Sequence, residues 1–103
     1  MGYTPSACEI RQTDEFDGWL AGLRDTRAKA AIVSRLDFVR IGNLGDAKSV
    51  GGGVSEMRIH VGAGYRVYFT RRRKVVILLL CGGDKSNQRK DIARAQRLAL
   101  QYD

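Results

Sequence analysis

Apolar and polar residues alternate on both sides of a glycine turn in the middle of the chain, and this pattern constrains the fold most. Around the turn Gly62-Ala63-Gly64, alternate positions are apolar: Met57, Ile59, Val61, Tyr65, Val67 and Phe69. A period of two is that of a β-strand with one buried face, so we predict a β-hairpin closed by Val61 and Tyr65. In that register His60 lies opposite Arg66 and Arg58 opposite Tyr68. The second face of the hairpin would therefore carry two arginines, an imidazole and a phenol.

The length and composition fit a single domain. With 103 residues and 44% hydrophobic content, we expect residues 1–103 to form one core. The formal net charge of +7 comes entirely from residues 54–103, which hold eleven Lys or Arg against four Asp or Glu; residues 1–53 hold seven of each. This asymmetry favours a polyanionic partner. A basic surface that serves solubility and a docking surface for an acidic protein are the alternatives.

The cysteines and the apolar runs indicate where the protein resides. Cys8 and Cys81 stand in no metal-binding or redox spacing, so we expect two buried thiols in a reducing compartment. The apolar run from Val75 to Cys81 is too short to cross a bilayer, and the N-terminus lacks the features of a signal peptide. We therefore predict a cytoplasmic protein that does not enter a membrane.

Other elements flank the hairpin. Residues 7–11 read as a strand, Thr13 as the cap of a first helix that ends near residues 23–25, and Thr26 as the cap of a second helix that ends near residue 41. Residues 42–53 read as a glycine-rich loop, followed by strands over residues 55–61, 65–70 and 74–81 and a helix over 86–100. The third of these strands has no alternation, so it should be central, covered on both faces and ended by Gly82-Gly83. The fold class is α+β: a strand and a helical hairpin packed on a small, mainly antiparallel sheet, with a C-terminal helix.

Seven segments in this order resemble the RelE/ParE superfamily of toxins, and most of all its HigB-type addiction module killer proteins. They are Glu9-Ile10-Arg11, Phe16-Asp17-Gly18-Trp19-Leu20, Gly42-Asn43-Leu44-Gly45-Asp46, Val54-Ser55-Glu56-Met57-Arg58-Ile59, Gly64-Tyr65-Arg66-Val67-Tyr68-Phe69, Leu80-Cys81-Gly82-Gly83-Asp84-Lys85-Ser86 and Asp91-Ile92-Ala93-Arg94-Ala95. The resemblance implies the toxin of a type II toxin–antitoxin system.

The resemblance also implies an activity and partners. Most such toxins cut mRNA in the ribosomal A site, by attack of the ribose 2′-OH on the adjacent phosphate, with no metal or cofactor. The implied partners are the ribosome, mRNA and a cognate antitoxin, which for the HigB type is usually a helix-turn-helix protein. Two alternatives stay open. ParE-type relatives act on DNA gyrase without nuclease activity, and an inactive toxin would serve only as a scaffold for its antitoxin.

Five residues are candidates for the catalytic site. The resemblance places Arg58 and His60 where such nucleases carry basic residues, and Arg66 on the arginine of the Gly-Tyr-Arg motif. A guanidinium stays protonated and can hold two phosphate oxygens, which suits Arg58 and Arg66, whereas His60 can accept or donate a proton near neutral pH. Asp84 and Lys85 follow the third strand and can reach the same surface. The alternatives are a solvated His60 and an Asp84 that caps locally.

Five further residues are candidates for RNA binding. Arg71, Arg72, Arg73 and Lys74 occupy a predicted hairpin turn, where they would contact phosphates, although a charge run is often only exposed surface. Tyr68, on a strand expected to be half-exposed, would stack on a base or simply belong to the sheet.

Overall fold

The structure, a computed structural model, describes residues 8–73 and 76–102, which form one sheet and three α-helices. The elements in chain order are β1 (Glu9–Gln12), α1 (Asp14–Ala21), α2 (Thr26–Arg40), β2 (Ala47–Gly51), β3 (Val54–Ile59), β4 (Tyr65–Arg72), β5 (Val76–Asp84), a 3₁₀ turn (Lys85–Asn87) and α3 (Gln88–Gln101). The strand order is β1-β5-β4-β3-β2; β1 is parallel to β5 and the other pairs are antiparallel. The predicted fold class is confirmed.

The helices cover both faces of the sheet. One face packs against α1 and α2 through Phe16, Ile32, Leu36 and Val39, and it carries the alternate apolar residues predicted for the hairpin. Of these, Met57, Ile59, Val67 and Phe69 are buried, while Val61 and Tyr65 are partly buried at the edge of the same core. The other face packs against α3 around Ala95. The polar side chains of β3 and β4 therefore lie on the α3 side.

The segment before the hairpin departs from the prediction in two places. Asp25, not Thr26, is the N-cap of α2, and its carboxylate accepts the backbone N–H of Ala28 at 3.0 Å. Residues 47–51, expected to be loop, form the edge strand β2. Its sequence has little apolar alternation, and its pairing depends on β3 as a template. The predicted cap Thr13 is confirmed, because its hydroxyl accepts the N–H of Phe16 at 3.0 Å.

Strand β5 continues through the two glycines that were expected to end it. The Trp19 ring lies directly over Gly82 and the Asp91 carboxylate over Gly83, so close that a Cβ at either position would collide with them. The glycines therefore permit close approach and do not break the strand. As predicted, β5 is an interior strand: Ile77 belongs to one core and Leu80 to the other.

Two of the predicted strands extend beyond the described residues. Residue 7 of the predicted strand 7–11, and residues 74 and 75 of the predicted strand 74–81, lie outside the described residues.

Of the two cysteines, Cys81 is buried and Cys8 is half-buried. No helix among residues 8–73 and 76–102 has the length and apolar character needed to span a bilayer.

Candidate functional site

The β3–β4 hairpin closes two residues earlier than predicted. Ile59 pairs with Tyr65, Arg58 with Arg66, and Glu56 with Tyr68, so the predicted pairs of His60 with Arg66 and of Arg58 with Tyr68 are wrong. The turn holds residues 60–64, and Gly62 and Gly64 both adopt a positive φ there. A shift of two residues preserves the face on which each side chain lies, because the side-chain period of a strand is two. The predicted face is therefore correct for Arg58, Arg66 and Tyr68, although the register is not, and His60 lies in the turn and not on a strand.

Arg58 and Arg66 stand directly opposite each other, above a buried acid. The side chain of Glu56 is completely buried; its Oε1 lies 3.4 Å from Nε of Arg66 and its Oε2 lies 3.7 Å from Nε of Arg58. Gln88, the first residue of α3, donates from Nε2 to Oε1 of Glu56 at 3.1 Å. The side chain of Arg58 is 33% exposed and that of Arg66 is 15% exposed, so part of each reaches the surface.

His60 and Arg58 share a second acid, Asp46. Nε2 of His60 lies 2.6 Å from Oδ2 of Asp46, and Nε of Arg58 lies 3.5 Å from Oδ1. The hydrogen bond from His60 is the main cause that lowers the pKa of Asp46, with a smaller contribution from the charge of Arg58. Asp46 is therefore a carboxylate at neutral pH, so the Nε2–H of His60 donates to it and Nδ1 takes no part in this bond. Because the imidazole is 72% exposed, it is open to a ligand.

Arg35, on α2, fixes the loop that carries Asp46. Its Nη1 donates to the carbonyl of Arg58 at 2.5 Å and its Nη2 to the carbonyl of Leu44 at 2.8 Å. The guanidinium thus ties the loop before β2 to strand β3 and brings Asp46 next to the hairpin. We use the name charged network for Asp46, Glu56, Arg58, His60 and Arg66, which form a continuous row at this end of the sheet in which each acid lies between two basic side chains.

Of the two residues at the end of β5 that were predicted for the catalytic site, Lys85 lies beside the hairpin turn and Asp84 caps the 3₁₀ turn. The exposed Lys85 passes close to Gly64, whose carbonyl accepts a hydrogen bond from Nη1 of Arg66 at 3.3 Å. The carboxylate of Asp84 accepts the backbone N–H of Ser86 at 2.8 Å and also its hydroxyl, and these bonds lower the pKa of Asp84. Asp84 therefore caps the 3₁₀ turn, which was the alternative interpretation.

The predicted RNA-binding arginines lie at the opposite end of β4. Arg71 and Arg73 are exposed. Arg72 instead donates from Nη2 to the carbonyls of Ala99 at 2.8 Å and Tyr102 at 2.7 Å. It therefore provides hydrogen bonds for carbonyl groups at the C-terminal end of α3. At a rise of about 3.3 Å per residue, Arg71 is roughly 16 Å along the strand from Arg66. A separate cavity of about 420 Å³ lies here, lined by Arg11, Arg72, Arg73, Val76, Leu78 and Tyr102. Lys74 lies outside the described residues.

Tyr68 does not lie on a half-exposed strand. It is fully buried beneath α3, and its hydroxyl has no hydrogen-bond partner among residues 8–73 and 76–102. Its ring therefore presents no face on which a base can stack, and that prediction is wrong for this conformation.

Sequence reasoning missed two acids and one amide of this site: Asp46, Glu56 and Gln88. Glu56 could have been found, because it precedes Arg58 by two residues and so shares the polar face of β3. Asp46 and Gln88 reach the site from a distant loop and from α3, and no local pattern indicates either contact.

Comparisons with known proteins agree with this architecture. The fold is similar to that of the Escherichia coli toxin RelE, solved in the free state as a double arginine-to-alanine mutant: the TM-score is 0.71 at 16% identity, over 88% of this chain and 96% of that one. The protein therefore has the RelE fold. No family model matches the chain. An uncharacterized protein of Haemophilus influenzae strain Rd is 50% identical over 91 residues, which are 88% of this chain and 92% of that protein. The chain belongs to the same family as this H. influenzae protein.

Proposed function

We propose that the protein is the toxin of a type II toxin–antitoxin system, of the HigB type, and that it is a ribosome-dependent mRNA endonuclease that inhibits translation. The RelE toxin fold supports the toxin assignment. The observation that carries the nuclease assignment is the pair of opposed arginines with His60 beside them at one end of the sheet.

The charged network supplies what cleavage through the 2′-OH requires. Arg58 and Arg66 bind the scissile phosphate and stabilise the charge that develops on its oxygens. His60 takes the proton of the ribose 2′-OH or gives one to the leaving 5′ oxygen through Nδ1, while Asp46 holds Nε2, and water completes the other proton transfer. The 2′ oxygen forms its bond to phosphorus as the bond to the 5′ oxygen breaks. These side chains and water are sufficient, so the proposal needs no metal or cofactor.

Lys85 adds a positive charge beside the turn. Its position near Gly64 suits a contact with a neighbouring phosphate of the message. Arg71 and Arg73 are exposed at the other end of β4, and we assign them to contacts with ribosomal RNA outside the catalytic site. Asp84 and Tyr68 are not part of the proposed site, because one is a cap and the other is buried.

The proposed partners follow from this assignment. The toxin acts in the cytoplasm on ribosomes that carry mRNA, and a cognate helix-turn-helix antitoxin holds it inactive. Because the described surface is rich in arginine and lysine, binding to RNA should weaken as the salt concentration rises.

The test is to induce the protein in bacteria and map RNA 5′ ends within minutes. We expect growth arrest with new 5′ ends inside translated messages. Arg66→Lys keeps a positive charge above Glu56 but loses the planar fork, so cleavage should fall by roughly 10²-fold or more, as when one transition-state donor is removed. Arg40→Lys is the matched control, because Arg40 lies on α2 and its side chain, among the described residues, pairs only with Asp37 at 2.8 Å.

Three results would contradict the proposal in different ways. Intact mRNA together with a DNA-damage response would favour the gyrase-poisoning alternative. Harmless overproduction of folded protein would favour an inactive scaffold. Cleavage at the wild-type rate by the Arg66→Lys variant would show that the nuclease site lies elsewhere.

A further inference from the structure

We propose that Glu56 is a positioning residue: its buried carboxylate holds the guanidinium groups of Arg58 and Arg66 at the separation and orientation needed to grip one phosphodiester. This inference rests on the proposed nuclease function and assigns a role to a side chain that the substrate does not reach.

The first argument is the electrostatic cost of the arginine pair. Arg58 and Arg66 occupy directly opposed positions on neighbouring strands, where like charges repel and destabilise a sheet. An acid in contact with only one of them would leave the other to turn away. Glu56 faces Arg66 with Oε1 and Arg58 with Oε2, so a single carboxylate contacts both side chains and offsets their repulsion. Arg58 has a second acidic contact, Asp46 at 3.5 Å, whereas Glu56 is the acid that Arg66 contacts among the described residues.

The second argument is burial. The side chain of Glu56 is 0% exposed, so it cannot touch RNA and must act through the arginines. Burial of a carboxylate is unfavourable unless it is paired, and an apolar residue at this position would give the fold at least equal stability beneath α3. The presence of a buried acid here is therefore better explained by its effect on the orientation of the arginines than by a contribution to the stability of the fold.

The third argument is that the carboxylate meets the arginines through charge, without a full set of hydrogen bonds. Nε of Arg58, Nε of Arg66 and Oε2 of Glu56 are all buried and have no hydrogen-bond partner among the described residues. Glu56 contacts Arg66 at 3.4 Å and Arg58 at 3.7 Å as ion pairs. The orientation of the guanidinium groups therefore depends on the charge of Glu56.

Gln88 completes the arrangement from α3. Its amide donates to Oε1 of Glu56, the same oxygen that faces Arg66, so the carboxylate cannot rotate freely. The orientation of the arginine pair thus depends on the packing of α3 against the sheet as well as on the hairpin.

A positioning role predicts that binding and turnover respond differently. Glu56→Gln keeps the shape of the side chain but removes its negative charge, so the site becomes more positive while the arginines lose their common anchor. The affinity for the mRNA–ribosome complex should be unchanged or higher, because the phosphate meets more net charge. Turnover should fall by at least tenfold, since even a small misplacement of catalytic groups costs up to about 10²-fold in rate.

The experiment measures kcat and KM for mRNA cleavage on programmed ribosomes. Glu56→Asp keeps the charge and should retain more turnover than Glu56→Gln. Asp37→Asn is the matched control, since it removes one negative charge from an ion pair on the outer surface of α2. A kcat for Glu56→Gln within twofold of wild type, or a raised KM with unchanged kcat, would overturn the proposal. If Glu56→Gln does not fold, Glu56→Met, which keeps the size of the side chain without its charge, is measured in its place, and a kcat within twofold of wild type has the same meaning.

A second readout separates this inference from the function on which it rests. In wild-type protein labelled with ¹⁵N-arginine, the Nε–H protons of Arg58 and Arg66 should exchange with water at least tenfold more slowly than that of the exposed Arg40. In Glu56→Gln the Nε–H of Arg66 should exchange at least tenfold faster than in wild type, and that of Arg58 should change less, because it also lies 3.5 Å from Asp46. If the wild type cuts no RNA but this difference is observed, the nuclease proposal fails and the anchoring of the arginine pair stands. If the Nε–H of Arg66 exchanges at the same rate in both proteins, whether fast or slow, Glu56 does not anchor the arginines.

Discussion

Removal of the Tyr68 hydroxyl should stabilise the protein. The ring is fully buried on the α3 face of the sheet, and the hydroxyl has no hydrogen-bond partner among the described residues. A buried hydroxyl without a partner costs about 1–3 kcal/mol, because it has lost its bonds to water. Tyr68→Phe keeps the ring and its packing, so we expect the free energy of unfolding to rise by about 1–2 kcal/mol.

The surroundings of the hydroxyl also favour an increase in the free energy of unfolding. Burial is the main cause that raises the pKa of Tyr68, followed by the nearby charge of Glu56, so the hydroxyl is neutral at physiological pH. No ionic attraction is lost when it is removed. For a domain of about 100 residues, a gain of 1–2 kcal/mol corresponds to a rise in Tm of roughly 5–10 °C.

The assay is urea and thermal unfolding followed by circular dichroism. Thr70→Val is the matched control, because it removes a buried hydroxyl that donates to the carbonyl of Gly53 at 2.7 Å. That variant should lose about 0.5–1.5 kcal/mol. If Tyr68→Phe is destabilised as much as Thr70→Val, the Tyr68 hydroxyl has a partner and the reasoning is wrong. Under the proposed nuclease function, RNA cleavage by Tyr68→Phe should equal that of wild type, since the ring is not available to a base.

Two further predictions concern packing and pH. Gly82→Ala should destabilise the protein by about 1–3 kcal/mol in urea unfolding, because its Cβ would collide with the Trp19 ring, whereas Gly18→Ala, in open space on α1, should be neutral or stabilising. Burial raises the pKa of Cys81 to about 11 and also raises that of Tyr68, so both groups bind protons more tightly in the folded state. The free energy of unfolding should therefore be constant from pH 7 to about pH 9 and then fall as the pH rises to 11; an unchanged urea midpoint at pH 10.5 would contradict this.

The local patterns in the sequence were sufficient for the architecture but not for the register. Alternation placed Arg58 and Arg66 on one face and Met57 and Val67 on the other, and both assignments are confirmed. The pairing was predicted with a three-residue turn, yet the chain uses a five-residue turn. Turn length depends on how the glycines at 62 and 64 adopt their positive φ values, and apolar periodicity carries no information on this.

Glycines were misinterpreted where their role is to permit close contact. Gly82 and Gly83 read as the end of a strand, but they lie within β5 beneath Trp19 and Asp91. Those two residues come from α1 and α3, which are remote from β5 in the sequence. A turn and a close approach both require glycine, and only the position of the neighbours distinguishes them.

The sequence by itself determined the α+β class, the order of the helices and most of the strands, and the face on which each basic residue of the hairpin lies. These properties follow from periodicities of two and of three to four, which depend on neighbouring residues alone. Only the tertiary structure decided that Asp46 holds His60, that Glu56 lies beneath both arginines, and that Gln88 fixes Glu56. These contacts join segments distant in sequence, and their geometry exists only after the helices have packed on the two faces of the sheet.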